Sequence, residues 1–215
     1  MNIPPTWAEK KLSDVCDTTS GGTPSRKRKD YFTGNIPWVK SGELTDGLVR
    51  DIEECITDEA IKNSSAKIFP TGTLLIALYG ATVGKLGILT RDAASNQAVC
   101  AIFPQNELDT KYLFWYLRYV RSDIVSQAIG GAQPNISQGI LKNINIPIAP
   151  RDQQKLIIAE IEKQFSRLDE AVAALKRIKA NLKRYKASVL KAAVEGKLTE
   201  EWRLSARVED RRRAQ

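Results

Sequence analysis

The sequence predicts an α+β protein: a mixed α/β domain over residues 1–150, followed by a long coiled-coil-type α-helix. Three observations carry that expectation. From Asp152 to about Glu195 there is neither Pro nor Gly. Apolar residues recur there at steps of three or four, at Ile158, Ile161, Phe165, Leu168, Val172, Leu175, Ile178, Leu182, Tyr185 and Val189, the spacing of one helix face. Before Asp152, short apolar runs alternate with Gly, Pro, Ser and Asn, the punctuation of strands and turns. A helix of that length would extend roughly 65 Å at about 1.5 Å per residue, more than the width of a domain of this size. A single helix has nothing of its own to bury such a seam against, so a partner is expected.

Residues 1–20 read as an irregular start with a short strand or turn. Gly21 to Phe32 is a loop carrying four consecutive cations, Arg26, Lys27, Arg28 and Lys29. Gly34 to Gly42 predicts a short extended piece between turns, and Asp58 to Ser65 a helical turn. Thr73 to Tyr79, apolar and bounded by Gly72 and Gly80, suits a buried strand. Lys85–Leu89 and Ala98–Phe103 read as further strands. Asn106 to Gln127 carries Leu108, Tyr112, Trp115, Tyr116, Tyr119 and Val120 and predicts one amphipathic helix. Gly130 to Ser137 is a polar loop, Leu141 to Ile148 a last extended segment, and Asp152 a helix N-cap. In the long helix, Leu175 to Ile178 is three residues where four is due, so a distortion is expected near 175–185. The helix is assigned to 151–203 and a basic tail, which need not be ordered, to 204–215.

The formal net charge of +8 is uneven: residues 151–215 hold 17 Lys/Arg against 10 Asp/Glu, net +7, leaving +1 for residues 1–150. A basic helix either attracts a polyanion or is solvated surface, and charge alone does not choose. Cys16, Cys55 and Cys100 are widely spaced and read as reduced thiols. The chain has no histidine, which removes His acid–base catalysis, Ser-His and Cys-His pairs and almost every zinc site. No apolar run is long enough to span a membrane, and Met1 to Trp7 lacks the features of a signal peptide, so a cytoplasmic location is expected.

Two motifs invite misreading. Gly80-Ala81-Thr82-Val83-Gly84-Lys85 resembles a phosphate loop but has one residue too few between the glycines, and Leu86 follows the Lys. It reads as a tight turn between strands. Asn35-Ile36-Pro37-Trp38 resembles the signature of amino-methyltransferases, yet no glycine-rich cofactor loop precedes it. It reads as a turn followed by an aromatic core anchor.

Taken in order, several stretches resemble one half of the specificity (S) subunit of Type I restriction-modification enzymes. They are Gly21–Ser25 followed by Tyr31, then Gly34–Leu44, Gly80–Leu89, Ser95–Phe103, Gly130–Ser137, Asn143 into the helix, and Val189–Arg203. The resemblance implies a target recognition domain that reads one half of a bipartite DNA site. It further implies a conserved helix that pairs antiparallel with a second one and docks methyltransferase (M) subunits. Those subunits would bring S-adenosylmethionine and the catalysis; this chain would be non-catalytic, hold no cofactor, and work with a restriction (R) subunit where one exists. The chain departs from the family in having one recognition domain and one helix. Ala149-Pro150-Arg151-Asp152-Gln153-Gln154 also stands where the family commonly has Pro-Pro, an acidic residue and Gln. A homodimer of half-subunits follows as the expected assembly.

The candidate DNA-binding residues are Thr23, Ser25, Arg26, Lys27, Arg28, Lys29, Tyr31, Lys40, Ser41, Tyr79, Lys85, Gln133, Asn135 and Ser137. Cations and hydroxyls there suit phosphates, and the amides suit adenine edges. The seam from Ile161 to Val189 is the candidate dimerisation surface, and Lys176, Lys179, Lys183 and Lys186 are candidates for contact with M subunits or DNA. Two rival classes stand beside this one: a small DNA-modifying enzyme, and a coiled-coil adaptor that binds only protein.

Overall fold

The domain is built around two buried strands whose side chains alternate between two cores. The structure, a computed structural model, describes residues 3–128 and 134–213. In chain order the elements of the domain are β1 (Ala8–Lys11), α1 (Leu12–Val15), β2 (Cys16–Ser20), β3 (Ile36–Val39), β4 (Gly47–Val49), β5 (Cys55–Ile56), α2 (Asp58–Lys62), β6 (Ile68–Phe69), β7 (Leu74–Ala77), β8 (Leu86–Leu89), β9 (Ala93–Ser95), β10 (Val99–Pro104), α3 (Thr110–Tyr119), α4 (Arg121–Ser126), α5 (Gln138–Lys142) and β11 (Asn145–Ile148). The helices α6 (Arg151–Val194) and α7 (Glu200–Arg213) follow. The chain divides into two compact units, 1–159 and 160–215.

One sheet has the order β2-β10-β7-β8-β4, antiparallel except for the β4–β8 pair. A second has the order β5-β3-β9-β6, in which β3 and β9 run parallel. β1 pairs antiparallel with β11 and so ties the start of the domain to its end. Every residue of β7 is buried, as the apolar run between two glycines predicts. Leu74 and Ile76 join the core beneath α3, α4 and α5, while Leu75 and Ala77 join a second core with Val39, Leu44 and Val49. β10 divides in the same way, Cys100 and Ile102 against Val99 and Ala101, the period-two alternation of a strand covered on both faces.

Several expectations need correction. The helix expected over 106–127 starts only at Thr110, where Asp109 accepts a hydrogen bond from the Lys111 amide, and is two helices, since Val120 leaves helical geometry between them. Tyr119, placed by periodicity on the buried face, is 70% exposed at that break. The segment from Leu141 to Ile148 is not extended throughout: Leu141 lies in α5, whose N-cap Ser137 accepts from the Ile140 amide, and only β11 is a strand. Asp152 is not the cap of α6 but sits in its first turn, where a carboxylate favours the helix dipole, and the Gln154 amide bonds the Pro150 carbonyl.

The first turns of α6 belong to the domain. Gln154 is fully buried, donates to the Glu107 and Ala149 carbonyls at 2.8 and 2.7 Å, and accepts from the Asp109 amide at 2.8 Å. The compact unit therefore ends at 159 rather than 150. In the second unit α6 runs without interruption through 175–185, so the slip in the apolar pattern does not break the backbone. Gly196, at φ 74°, ends it, since a left-handed position suits glycine. The tail set apart at 204–215 is helical as far as Arg213. Arg203 ties that helix to the turn before it by donating to the Gly196 carbonyl and the Thr199 hydroxyl.

Candidate nucleic-acid interface

Five loops meet through a continuous set of hydrogen bonds. Gly21 and Gly22 donate to the carbonyls of Val99 and Ser95, which lays the 21–29 loop against the 95–98 turn. The approach is so close that a Cβ on Gly21 would sit 2.2 Å from Ser95 Oγ, so only glycine fits there. The Thr23 hydroxyl bonds the Gln97 side-chain carbonyl. The Asn96 amide donates to Val39, and the Thr82 hydroxyl to the Ser41 carbonyl at 2.8 Å. Leu78 donates to Ala98 and accepts from the Ile136 amide, and Tyr79 bridges Asn135. Thr23, Ser41, Tyr79 and Asn135 thus come from distant parts of the chain to one connected set of loops.

The glycine-bounded turn at 80–84 is a reversal between β7 and β8, with Gly84 donating to Ala77. Trp38 is 1% exposed and donates through Nε1 to the Gly22 carbonyl at 3.0 Å. Both motifs are therefore structural, as their departures from the enzyme signatures imply.

The cations of this face are mostly paired. Arg26 Nη1 meets Glu54 at 2.7 Å, and its guanidinium lies 4.3 Å from the Phe32 ring centre and 4.9 Å from that of Trp38. Arg28 pairs with Asp30 at 2.6 Å and Glu59 at 3.3 Å, and covers the Tyr31 ring at 4.4 Å. Lys40 meets Glu53 at 2.8 Å and Glu54 at 3.2 Å. Lys85 meets Asp46 at 2.7 Å, and Arg121 bonds both oxygens of the same carboxylate. Lys27 and Lys29 are exposed, and no ion pair engages them among the described residues. The basic loop thus alternates two paired arginines with two solvated lysines.

These contacts leave electrostatic marks. The hydrogen bond from Arg26 holds the Glu54 carboxyl below the usual carboxylate range, against its partial burial, and Lys40 adds to it. Arg28 does the same to Asp30, and the hydrogen bond to Glu53, with Glu54 behind it, raises Lys40. Burial alone would raise the Asp46 carboxyl, but the bonds from Lys85, Arg121 and the Leu86 amide together outweigh it and hold it low. Asp46 also has φ 65°, a left-handed conformation that Asp tolerates better than most residues.

Three candidates have structural places. Tyr31 is 6% exposed, packed with Trp38 and Ile56, so it supports the loop from beneath rather than offering a ring to a ligand. Ser137 caps α5, and Lys85 is the counter-ion of Asp46. Ser25 is exposed and its carbonyl accepts from the Arg28 amide. Gln133 lies outside the described residues. Residues that sequence reasoning missed are Glu54, Asp46, Gln97 and Arg121. Only Gln97 had a local signal, an amide within the Ser95–Phe103 stretch.

On α6 the seam is open to solvent: Phe165, Leu168, Val172, Leu175, Ile178, Leu182 and Tyr185 are exposed, Ile161 and Val189 half-buried. Leu190, Val194, Leu198, Trp202 and Leu204 extend the exposed apolar surface beyond it. Among the described residues no cluster of three or more His, Cys, Asp or Glu could hold a metal ion, and no helix is long and apolar enough to cross a membrane.

Comparison with known proteins places this architecture. The chain is 32% identical over 160 residues to the Type I restriction enzyme MjaIX specificity subunit of Methanocaldococcus jannaschii, covering 72% of this chain and 37% of that protein. It is 28% identical over 169 residues to the EcoR124I/EcoR124II specificity subunit of Escherichia coli, covering 76% and 42%. The chain therefore spans less than half the length of these relatives. The fold matches a chain from a structure of a type I R-M system at TM-score 0.74 and 22% identity, over 90% of this chain and 47% of the other. It matches the HsdS subunit from Thermoanaerobacter tengcongensis at TM-score 0.67 and 24% identity, over 90% and 46%. Residues 4–184 match the family model of the Type I restriction modification DNA specificity domain, and the chain belongs to that family.

Proposed function

We propose that this chain is the DNA sequence-recognition module of a Type I restriction-modification complex, acting as a homodimer of half-subunits without catalysis of its own. The observation that carries the reading is the hydrogen-bonded joining of five loop segments, in a chain whose long helix exposes an apolar seam. Loops joined in this way suit base reading, because groups already held in place lose little entropy on binding. The seam suits a second copy: antiparallel pairing of two α6 helices would bury Leu168, Leu175, Ile178 and Leu182 from both chains. M subunits carrying S-adenosylmethionine would supply methyl transfer, docking on the helix and its junction with the domain, with Lys176, Lys179, Lys183 and Lys186 as candidate contacts. An R subunit would act on the same bound DNA.

Two identical recognition domains related by a twofold axis require half-sites that are inverted repeats. Sequencing methylated sites after co-expression with compatible M subunits tests this. An interrupted palindrome is the expected result; a continuous or asymmetric motif from the pure homodimer would refute the assembly. The pairing of Arg26, Arg28, Lys40 and Lys85 with carboxylates favours one rival, a coiled-coil adaptor without specific DNA binding. DNA affinity that falls steeply with salt separates the two.

A further inference from the structure

Glu54 stands where three independent constraints meet. Its carbonyl accepts from the Trp38 amide at 2.8 Å, which fixes its backbone to β3. The neighbouring Glu53 amide and the Lys40 amide both donate to the Glu43 carboxylate, at 3.0 and 2.7 Å, which closes the backbone around it. The Glu54 side chain then receives Arg26 through one oxygen and Lys40 through the other. Arg26 is held from a further direction by the Phe32 and Trp38 rings. Among the described residues its guanidinium hydrogen-bonds through a single nitrogen, and its side chain is about half exposed.

We propose that Glu54 is a positioning residue for sequence discrimination, holding Arg26 and Lys40 as a two-cation clamp of fixed geometry while lowering the attraction of that face for DNA in general. The inference rests on the DNA-reading function proposed above. A free lysine or arginine follows any phosphate track, whereas a guanidinium stacked on two rings and pinned at one edge can serve only a site that meets its remaining donors where they stand. The carboxylate also repels phosphates nearby, so a duplex that fails to engage the clamp gains little from either cation. Glu53 shares only the Lys40 end of the clamp: its exposed carboxylate meets that lysine at 2.8 Å, nearer than Glu54 at 3.2 Å, while Arg26 is paired with Glu54.

The test uses the full chain with its M subunits and two duplexes of equal length, one carrying the methylated site found by co-expression and one with that site scrambled. Glu54→Gln removes the charge. It should tighten binding to the scrambled duplex about fivefold at about 0.15 M salt and steepen the salt slope by about 0.9, the effect of one cation released. The preference for the methylated-site duplex should fall by at least the same factor. Glu54→Asp keeps the charge but shortens the reach, so preference should fall without any gain on the scrambled duplex. Glu53→Gln loosens Lys40 but leaves Arg26 paired, so preference should fall less than with Glu54→Gln, and an equal fall would assign the role to Lys40 and not to Glu54. If both Glu54 variants keep the wild-type preference and slope, or lose affinity equally on both duplexes, Glu54 has no positioning role. If the wild-type complex shows no preference between the duplexes, the DNA-reading function itself fails and the inference with it.

Discussion

Replacing Leu168 and Leu175 with Asp tests whether the seam of α6 holds two copies together. In the single chain these leucines are 57% and 65% exposed. Fully burying a leucine contributes about 2 kcal/mol, so burying the exposed fractions of both amounts to about 2.5 kcal/mol per chain and about 5 kcal/mol per dimer. That is three to four orders of magnitude in the dimer dissociation constant, roughly, before the cost of burying a carboxylate is added. Sedimentation equilibrium over a concentration series reads this directly. The wild-type chain is expected to be dimeric at micromolar concentration and the double variant monomeric throughout. Helix content by circular dichroism should fall only modestly at the domain end of α6, where Gln154 and Ile158 are buried. A wild-type monomer at those concentrations, or a variant that dimerises as tightly as the wild type, would refute the reasoning.

The structure supports four further outcomes. Asp46→Ala should cost about 2–3 kcal/mol in urea denaturation, because the side chain is 8% exposed and its loss leaves the partly buried Arg121 without its carboxylate; a change below about 0.5 kcal/mol would contradict that role. Lys27→Ala with Lys29→Ala should flatten the salt slope of DNA binding by up to about two units, whereas Arg26→Ala with Arg28→Ala should flatten it less, since those charges are neutralised beforehand; equal effects would show that the pairing is irrelevant. Cys55 should react with a maleimide before Cys16 and Cys100, whose buried thiols are pushed up to about 12, and labelling of all three at one rate in the folded chain would argue otherwise. With no histidine, stability should be level between about pH 5 and 7 and fall in acid. The unfolded chain takes up protons at ordinary carboxylate values, while Asp46 and Glu54 are held lower in the folded state, so the stability they contribute is lost as pH falls through those lowered values. A step in the urea midpoint between about pH 6 and 7 would contradict this assignment.

Strands and helices whose signal is local were legible. β7 is an apolar run bounded by glycines, β3 carries a tryptophan between turns, and α6 repeats apolar residues over more than thirty positions. The break between α3 and α4 was hidden because Leu117, Val120 and Ile124 keep helical spacing across it. Arg121, which opens α4 after the break, bonds partners far away in the sequence, the Gly84 carbonyl and Asp46. β9 was missed for another reason. Its residues, Ala93, Ala94 and Ser95, are small and carry no apolar pattern, and they are a strand only because β3 and β6 flank them.

The candidate site divides in the same way. The sequence by itself determined which residue types face the problem: a run of four cations, glycines flanking it, amides on a polar loop, and a helix with an unsatisfied apolar face. Those properties belong to neighbours along the chain. Only the tertiary structure decided which charges are available. Arg26 meets Glu54 across 28 positions, Lys85 meets Asp46 across 39, and Arg121 meets Asp46 across 75. An ion pair depends on distance in space, and a linear chain records a cation without recording its counter-ion. Two of the four cations in the basic loop are therefore fixed parts of a face and two are solvated, a difference that exists only once the loops are folded together.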